Sequence, residues 1–337
     1  MLKQSLLDCF SRYKELSEKE IYAVAVSGGP DSMALAHALI DHTKAQGKEC
    51  HILTVDHGLR AEAKNEADMV AEWSAKHGVT HHNLIWEGDK PDTSIMEEAR
   101  NARYQIMADK CAELGVYELF VAHHQDDQAE TFLIRLSKGS GLDGLASMSA
   151  LHHYNENLTI VRPLLNISKA DLVSYCDKNK IPYVKDPSNQ NDNYLRPRLR
   201  ASMEILEQEG LSSKRLAATA ARLARARRAL EQITDEAHRS CVKNQSVEMV
   251  VLDFSVLKKQ PEEIALRVIQ KSLEDMRPDA DYRTRMEKVE GLFNALWFET
   301  DNFKPRTLGG CVFSLKGDKQ GQNLALYIKK ESVVTEG

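Results

Sequence analysis

The sequence predicts an α/β fold, in which a doubly wound, mostly parallel sheet is followed by a helical connector and a small α+β C-terminal domain. Up to about residue 185, short apolar runs typical of β-strands alternate with stretches of helical periodicity. Strands separated by helices form βαβ units, which build a parallel sheet covered by helices. After Pro187 the pattern changes to long helix-forming stretches, and then to short apolar runs between glycines.

The strand candidates of the first part follow one another in the order that βαβ units require. They are Ile21–Val26, His51–Val55, His82–Trp86, Glu118–Ala122 and Thr159–Val161. The helical stretches between them include Met33–Gln46, Glu62–His77 and Thr93–Leu114. A parallel sheet of this kind binds ligands outside the carboxyl ends of its strands. We therefore expect the functional motifs at strand ends.

The second part of the chain predicts helices first and a small sheet last. Tyr194–Arg239 is largely helix-forming, Val247–Leu257 predicts a strand or two, and Pro261–Met276 and Asp279–Glu299 predict amphipathic helices. Apolar runs between glycines over Arg306–Ile328 predict small antiparallel strands. We therefore expect three domains: an α/β domain over residues 1–205, a basic helical connector over 206–240 and a small α+β domain over 241–337.

Composition and cysteine usage narrow the class of protein. Of 337 residues, 42% are hydrophobic and 28% charged, which excludes a largely disordered chain and a collagen-like fibre. The six cysteines are scattered without a CxxC pair, and the N-terminus lacks the apolar stretch of a secretory signal, so we expect a cytoplasmic protein with reduced thiols. The apolar run Ile21–Val26 is far shorter than the ~20 residues that a membrane helix needs, so no membrane association is expected.

The charge is unevenly distributed. The net charge is −5, yet Ser212–Leu230 holds six basic residues and no acidic one. Arg196, Arg198 and Arg200 lie at alternate positions just upstream. Such a stretch either meets a polyanion locally or forms a solvated helix face.

The most specific motif is the segment Ser27–Ser32, with the sequence SGGPDS, between an apolar strand and a helix. Two glycines let the backbone approach an anion, and the following helix N-terminus attracts negative charge. The segment lacks the Gly-Lys-Ser/Thr ending of a Walker A loop and the GxGxxG spacing of a dinucleotide-binding loop. A tight turn alone would explain the glycines but not the flanking Ser27, Asp31 and Ser32.

Two further polar motifs follow strand candidates. The first is Asp56-His57-Gly58-Leu59-Arg60, which as isolated residues would also suit a turn. The second is HHQDDQAET over His123–Thr131, in which Asp127 and Glu130 share one helical face and Asp126 is the expected helix N-cap. Carboxylates beside a bound phosphate group normally hold Mg²⁺, which makes Asp126 and Asp127 the candidate ligands. Zinc and a merely capped helix stay open as alternatives.

Arg100 and Arg103 lie three residues apart in the predicted helix Thr93–Leu114, and therefore on one face. Two interpretations stay open at this point. Either they form surface ion pairs, for which Glu97 is the nearest candidate, or they face an anionic ligand.

These motifs together resemble those of a known family. The SGGPDS segment is similar to the PP-loop of the N-type ATP pyrophosphatases, which split ATP between the α and β phosphates. The wider set resembles the tRNA(Ile)-lysidine synthetase family over about residues 20 to 200, and more weakly at Arg306–Gly310. That set is DHGLR, HHxDDQAET, the GSGxxGL loop of Gly139–Leu145, RPLL at Arg162–Leu165 and DPSN at Asp186–Asn189. Pro197 departs from the family pattern and puts local backbone contacts there in doubt.

The resemblance implies an enzyme that ligates free L-lysine to the wobble cytidine of an isoleucine tRNA with the anticodon CAU. ATP would adenylate the base, releasing diphosphate, and the lysine amine would then displace AMP. The implied catalytic residues are Asp31, Asp127, Glu130, Arg100 and Arg103, the two arginines neutralising charge as diphosphate leaves. The implied ATP-binding residues are Ser27, Gly28, Gly29, Pro30, Asp31, Ser32, Asp56 and His57, with Mg²⁺ as the metal. The residues expected to contact tRNA are Arg135, Arg196, Arg198, Arg200, Arg225 and Arg228.

Three alternatives remain at this point. A PP-loop tRNA thiolase shares the fold, but many members carry paired cysteines. An amidotransferase synthetase needs a glutaminase, for which the sequence before the PP-loop leaves no room. A catalytically inactive tRNA-binding or nucleotide-sensing module has no need of the four carboxylates of Asp31, Asp126, Asp127 and Glu130. The Gly139–Gly144 loop is a candidate lid, a homodimer is open, and the sequence does not choose between base and metal ligand among the carboxylates.

Overall fold

The computed structural model describes residues 1–56, 63–86, 95–184, 195–277, 284–317 and 324–331. The chain forms two compact units, Met1–Ala224 and Arg225–Gly337. The three domain boundaries expected from the sequence stay a prediction. Within the described residues, no helix is long and apolar enough to cross a membrane.

A six-stranded sheet lies at the centre of the first unit. Its strands are β1 (Ile21–Ala25), β2 (Glu49–Asp56), β3 (Thr80–Ile85), β4 (Glu118–Phe120), β5 (Leu151–Asn155) and β6 (Leu158–Val161). Their order is β3-β2-β1-β4-β6-β5, and every pairing is parallel except that of β5 with β6. This confirms the predicted α/β class and the mostly parallel sheet. The antiparallel edge strand β5 was not predicted.

The helices of the first unit follow the strands as a doubly wound fold requires. They are α1 (Leu2–Arg12), α2 (Lys14–Ser17), α3 (Pro30–Ala45), α4 (Ala63–Lys76), α5 (Ile95–Leu114), α6 (Gln125–Ser137), α7 (Leu142–Leu145), α8 (Lys169–Asn179), α9 (Leu195–Gln208) and α10 (Ser213–Cys241), whose residues divide between the two units.

Alternate residues of the strands build two apolar layers. Tyr22, Val24 and Phe120 pack with side chains of α1, α3 and α8 on one face of the sheet. Ala23 and Leu119 pack with side chains of α5 on the other face. Successive strand residues point to opposite faces, so each buried strand needs a continuous apolar run. Burial of a large apolar side chain stabilises the fold by about 1.5–3 kcal/mol.

The strand order reverses beside β1, and this reversal determines where the ligand-binding crevice lies. From β1 the chain proceeds outward to β2 and β3, and then returns to β4 on the opposite side of β1. The carboxyl ends of β1 and β4 therefore flank the crevice in which open α/β sheets bind ligands. The SGGPDS segment follows β1, and His123–Thr131 follows β4.

The second unit contains a five-stranded antiparallel sheet of order β7-β8-β11-β10-β9, as the sequence predicts in part. Its elements are β7 (Val242–Gln245), β8 (Met249–Asp253), α11 (Phe254–Leu257), α12 (Glu262–Asp275), α13 (Met286–Phe298), β9 (Arg306–Leu308), β10 (Cys311–Lys316) and β11 (Ala325–Lys330). Phe254, Phe293 and Phe313 lie in one core with α12 and α13. The predicted strand Val247–Leu257 ends early, because Asp253 accepts from the N–H groups of Ser255 and Val256 and starts α11.

Candidate active site

The glycine-rich segment forms a closed turn at the start of α3. The N–H of Ser27 donates to Oγ of Ser32 at 3.1 Å, and that hydroxyl donates to the carbonyl of Gly29 at 3.0 Å. Gly28 has φ of +79°, a left-handed conformation that costs other residues about 1–2 kcal/mol. Pro30 occupies the first turn of α3, where its missing N–H costs nothing. The turn thus presents a helix N-terminus to the crevice, which suits a phosphate group.

A second loop, after β4, carries an unexpected helix cap. The N–H of His124 donates to Oδ2 of Asp127 at 3.0 Å, and Nδ1 of His124 lies 3.2 Å from the N–H of Asp126. His124 is therefore the N-cap of α6, and the prediction that Asp126 caps this helix is wrong. The carboxylate of Asp126 instead accepts from the N–H of Lys169 at 2.9 Å, which attaches the start of α8.

His124 lies buried among three carboxylates. Its Nε2 is 3.6 Å from Asp31 and 3.5 Å from Asp127, and its Nδ1 is 3.5 Å from Oδ2 of Asp126. Burial alone lowers the pKa of His124, but Asp126, Asp31 and Asp127 together outweigh it and raise this pKa to about 10. In the protonated ring Nδ1 carries a proton and cannot accept from the Asp126 N–H, so the cap of α6 then rests on the hydrogen bond from the His124 N–H to Asp127. The hydrogen bond from His124 in turn holds the pKa of Asp126 well below its usual range.

We call Asp31, Asp127 and Glu130 the acidic group. Asp31 comes from the SGGPDS turn, while Asp127 and Glu130 project from α6. Glu130 is almost fully buried and forms a two-point ion pair with Arg200, whose Nη2 donates to Oε2 at 3.3 Å. The same guanidinium lies 3.9 Å from Asp127. Burial lowers the pKa of Arg200, and the carboxylates of Glu130, Asp127 and Asp31 more than reverse this and raise it.

Asp31 has room for a cation. Its Oδ2 lies 3.8 Å from Nζ of Lys169, whereas its Oδ1 is buried with no hydrogen-bond partner in the described part of the chain. A buried carboxylate oxygen without a partner is costly unless something binds it. Asp31 and Asp127 both lie within 3.6 Å of Nε2 of His124, so the two carboxylates face the same part of the crevice, and carboxylate oxygens are the ligands that a hard cation such as Mg²⁺ prefers. The residues present therefore fit the metal that the motif implies.

A cationic group lies on the α5 side of the sheet. It consists of Arg100, Arg103 and Arg162, with Tyr104 between them. The guanidinium carbons of Arg100 and Arg103 lie 5.2 Å and 5.4 Å from the centre of the Tyr104 ring. Arg162, which directly follows β6, is 7% exposed; it donates to Nδ1 of His123 at 3.3 Å and to the carbonyl of Ser149 at 3.1 Å. Burial lowers the pKa of Arg103 and of Arg162, an effect that Tyr104 partly offsets.

The structure places the remaining predicted residues in different settings. Asp56 ends β2, next to β1, while His57 lies outside the described residues. Arg135 donates to the carbonyls of Gly144 at 2.7 Å and Ser147 at 3.2 Å, so it holds the segment around α7. The side chain of Arg198 is exposed, and that of Arg196 lies outside the description.

Arg225 and Arg228 are both exposed and lie three residues apart in α10, as predicted for a basic helix face. The sequence missed the roles of His124 and of Arg162. The available indication for His124 was the polar pair His123-His124 directly after a predicted strand. The indication for Arg162 was its position at the end of β6.

Comparison with known proteins adds independent information. Residues 2–207 match the family model of the PP-loop domain. A tRNA(Ile)-lysidine synthase of Bradyrhizobium diazoefficiens is 37% identical over 84% of this chain and 80% of its own length. That of Rhodopseudomonas palustris is 38% identical over 88% of each chain, and that of Wolbachia pipientis is 35% identical over 93% of this chain and 72% of its own. The U34-tRNA thiolase NcsA of Methanococcus maripaludis has a similar fold, with a TM-score of 0.57 and 17% identity over 66% of this chain and 78% of its own.

Proposed function

The chain belongs to the PP-loop family and, within it, to the tRNA(Ile)-lysidine synthases, and from this premise we propose that it joins free L-lysine to the wobble cytidine of an isoleucine tRNA with the anticodon CAU. The observation that carries the proposal is the convergence of Asp31 and Asp127 on His124 at the switch point of the sheet, with Glu130 on the same helix as Asp127. The SGGPDS turn there can bind phosphates, and the carboxylates of the acidic group beside it can bind an amine.

In this proposal the SGGPDS turn binds the phosphates of ATP. The free N–H groups at the start of α3 hydrogen-bond phosphate oxygens, and Ser27 and Ser32 keep the turn closed through their own hydrogen bond. Asp56 and His57 follow the neighbouring strand and would lie beside the nucleoside. The 2-carbonyl oxygen of the target cytidine attacks the α-phosphorus, the bond to the β-phosphate breaks, and diphosphate leaves.

Asp31 and Asp127 would hold Mg²⁺, which when bound neutralises charge on the phosphates. The unpartnered Oδ1 of Asp31 supports this assignment. Asp126 is the weaker ligand candidate, because its carboxylate already accepts from the Lys169 N–H and faces His124. Arg100, nearest the start of α5, is the proposed neutralising group for the departing diphosphate, and Arg103 is considered below.

The attacking lysine amine must lose a proton before it displaces AMP. Asp127 is the better candidate base for this second step, after diphosphate and the metal have left, because Glu130 is held by a two-point ion pair with Arg200 whereas Asp127 is 3.9 Å from that guanidinium and 16% exposed. A carboxylate paired at two points is a poor base, since the pair favours its ionised form. Glu130 and Asp127 together offer the negative charge that an ammonium group needs.

The tRNA would meet arginines of α9 and of α10. Arg196 and Arg198 in α9, and Arg225 and Arg228 in α10, are the proposed backbone contacts. Arg135 and Arg200 suit this role less well, because the first donates to loop carbonyls and the second pairs with the acidic group. Bases of single-stranded loops are read when they are splayed out, which the wobble position of an anticodon allows.

The thiolase alternative is less well supported. Thiolate, not thiol, binds a metal cluster or transfers sulfur. All six cysteines are buried, and burial raises the pKa of Cys50, Cys111 and Cys176 to about 12. Cluster binding would require these thiols to ionise inside the core.

The proposal is tested by incorporation of labelled lysine into a CAU-anticodon isoleucine tRNA transcript with ATP and Mg²⁺, while AMP and diphosphate are followed in the same reaction. We expect labelling that requires lysine, ATP and Mg²⁺ and that Asp31→Ala abolishes. Arg12→Gln, a surface change in α1, is the control and retains full labelling. Diphosphate release without labelling would mean a different nucleophile, and no turnover at all would mean a binding module.

A further inference from the structure

The cationic group contains buried charge without an opposite charge. In the part of the chain that the structure describes, no carboxylate lies within ion-pair distance of Arg103 or Arg162, and Nε of Arg103 is buried without a hydrogen-bond partner. Both guanidinium groups have Tyr104 as a polar neighbour, and Arg100 adds further positive charge. Buried charges are normally paired, so this cluster is incomplete as it stands.

Its place in the fold separates this cluster from the SGGPDS turn. Arg103 and Tyr104 belong to α5, which packs on the sheet face of Ala23 and Leu119. The turn leads into α3, which packs on the opposite face with Tyr22 and Phe120. Arg162 follows β6, two strands from β1, at the same edge of the sheet as the acidic group. Arg103, Tyr104 and Arg162 thus lie on the α5 face of the sheet, opposite the face on which the SGGPDS turn leads into α3.

We propose that Arg103 and Arg162, with Tyr104 between them, form an oxyanion site for an acceptor substrate. The planar fork of a guanidinium matches a carboxylate or a phosphate at two points. Two sources supply such a group: the carboxylate of lysine, and a phosphate of the tRNA strand beside the target base. The inference rests on the proposed function, because both sources are its substrates.

Arg162 is the residue of choice for a test, because it is the most buried of the three arginines and its backbone is attached to the sheet, where its N–H donates to the carbonyl of Ala150 at 2.7 Å. Arg162→Gln keeps a polar, hydrogen-bonding side chain, although a shorter one, and removes the charge. Arg162→Lys keeps the charge and removes the fork. Arg12→Gln is the matched control, since Arg12 is exposed in α1.

The carboxylate arm compares lysine with cadaverine, which is lysine without its carboxylate. If the site holds the carboxylate, Arg162→Gln raises the KM for lysine roughly ten- to a hundredfold, while the inhibition constant of cadaverine changes by less than about twofold. Arg162→Lys shows an intermediate loss, because a point charge replaces the fork. A merely structural role would shift both ligands equally.

The phosphate arm compares native tRNA with tRNA that carries a neutral methylphosphonate next to the wobble cytidine. If the site holds that phosphate, Arg162→Gln weakens binding of native tRNA at least about tenfold and binding of the neutralised tRNA hardly at all.

The inference is overturned if Arg162→Gln affects lysine and cadaverine equally and also affects native and neutralised tRNA equally. It is likewise overturned if the variant raises only the KM for ATP. Thermal unfolding checks each variant. If Arg162→Gln does not fold, Arg103→Gln and Arg162→Lys are judged by the same criteria. An inactive wild-type chain would contradict the proposed function instead.

Discussion

His124 and Asp31 meet across the crevice, with Nε2 of the imidazole 3.6 Å from Oδ2 of the carboxylate. The first residue follows β4 and the second follows β1, so the contact joins the two loops that flank the switch point. Because the pKa of His124 is raised, the ring is protonated at neutral pH and balances the surrounding carboxylates. The glycine-rich turn and the helix that carries Asp127 are thereby held in one arrangement.

His124→Asn tests this charge, since asparagine is a good helix N-cap but carries no proton. A raised folded pKa stabilises the fold fully below the unfolded value of 6.5, and this contribution is lost as pH rises through about 10. We expect wild type to exceed the variant in unfolding free energy by at least about 1 kcal/mol at pH 6, and by progressively less towards pH 10. Urea denaturation at several pH values measures this; a difference that grows with pH would contradict it.

Removing Arg200 from the Glu130–Arg200 pair should lower the free energy of unfolding more than removing Glu130 does. Glu130 is 2% exposed, whereas the side chain of Arg200 is 39% exposed. Arg200→Gln therefore leaves a buried unpaired carboxylate and should destabilise the protein by about 3 kcal/mol, towards the lower end for buried pairs because Arg200 is partly solvated. Glu130→Gln should cost less.

The double variant Glu130→Gln/Arg200→Gln is the control for this pair. It should recover part of the loss seen in Arg200→Gln, because no charge is then left alone in the interior. Chemical denaturation of the four proteins gives the coupling energy. Additive losses would mean that the two side chains act independently.

The sequence predicts β1, β2, β4 and β6 well, because a buried parallel strand is a continuous apolar run and glycines or polar residues mark its ends. It does not predict β5, whose His152 and His153 are exposed at the sheet edge and break the apolar pattern. Helix α1 was also not predicted, although its buried residues Leu2, Leu6, Cys9 and Phe10 keep the spacing of an amphipathic helix.

For the site, the sequence predicts which loops matter but not which partners their side chains take. SGGPDS and HHQDDQAET lie at the predicted strand ends and meet there. Arg200 contacts Glu130 only because α9 packs against α6, a tertiary contact that no local pattern encodes. The alternation of basic residues in α9 favoured an exposed tRNA-binding face, and it could not distinguish an inward-pointing arginine from an outward-pointing one.

Gly144 in α7 should not tolerate a side chain. A Cβ at this position would lie 2.5 Å from Cβ of Ser140, closer than packed carbon atoms approach. We expect Gly144→Ala to lower the unfolding free energy by about 1–3 kcal/mol, in the range of overpacked sites. Gly141→Ala is the matched control in the same segment, since its Cβ would meet nothing within 4 Å and its φ is −75°. Equal melting temperatures for the two variants would refute the steric argument.

His238 in the second unit should give the opposite pH dependence to His124. It is buried, and its Nε2 forms a hydrogen bond with Oγ of Ser272 at 3.1 Å, with Asp275, Asp235 and Lys271 nearby. Burial lowers its pKa, so the unfolded chain binds the proton more tightly and stability falls as pH drops below about 6.5. His238→Gln keeps a donor without titrating. We expect the variant to lose less stability than wild type between pH 7 and pH 5, as followed by thermal unfolding; identical slopes would contradict this.

Arg225 and Arg228 should contribute to tRNA affinity through charge alone. Both are exposed on α10, and no acidic residue occurs between Ser212 and Leu230 to neutralise them. A phosphate contact releases counterions, so each lost contact reduces the slope of log K against log salt by about 0.7–0.9. Arg225→Ala/Arg228→Ala should therefore weaken tRNA binding most at low salt and flatten the slope by about 1.5. Filter binding across a salt series measures this, with Arg12→Gln as the control. A weakened affinity with an unchanged slope would show that the arginines act through the fold and not through phosphates.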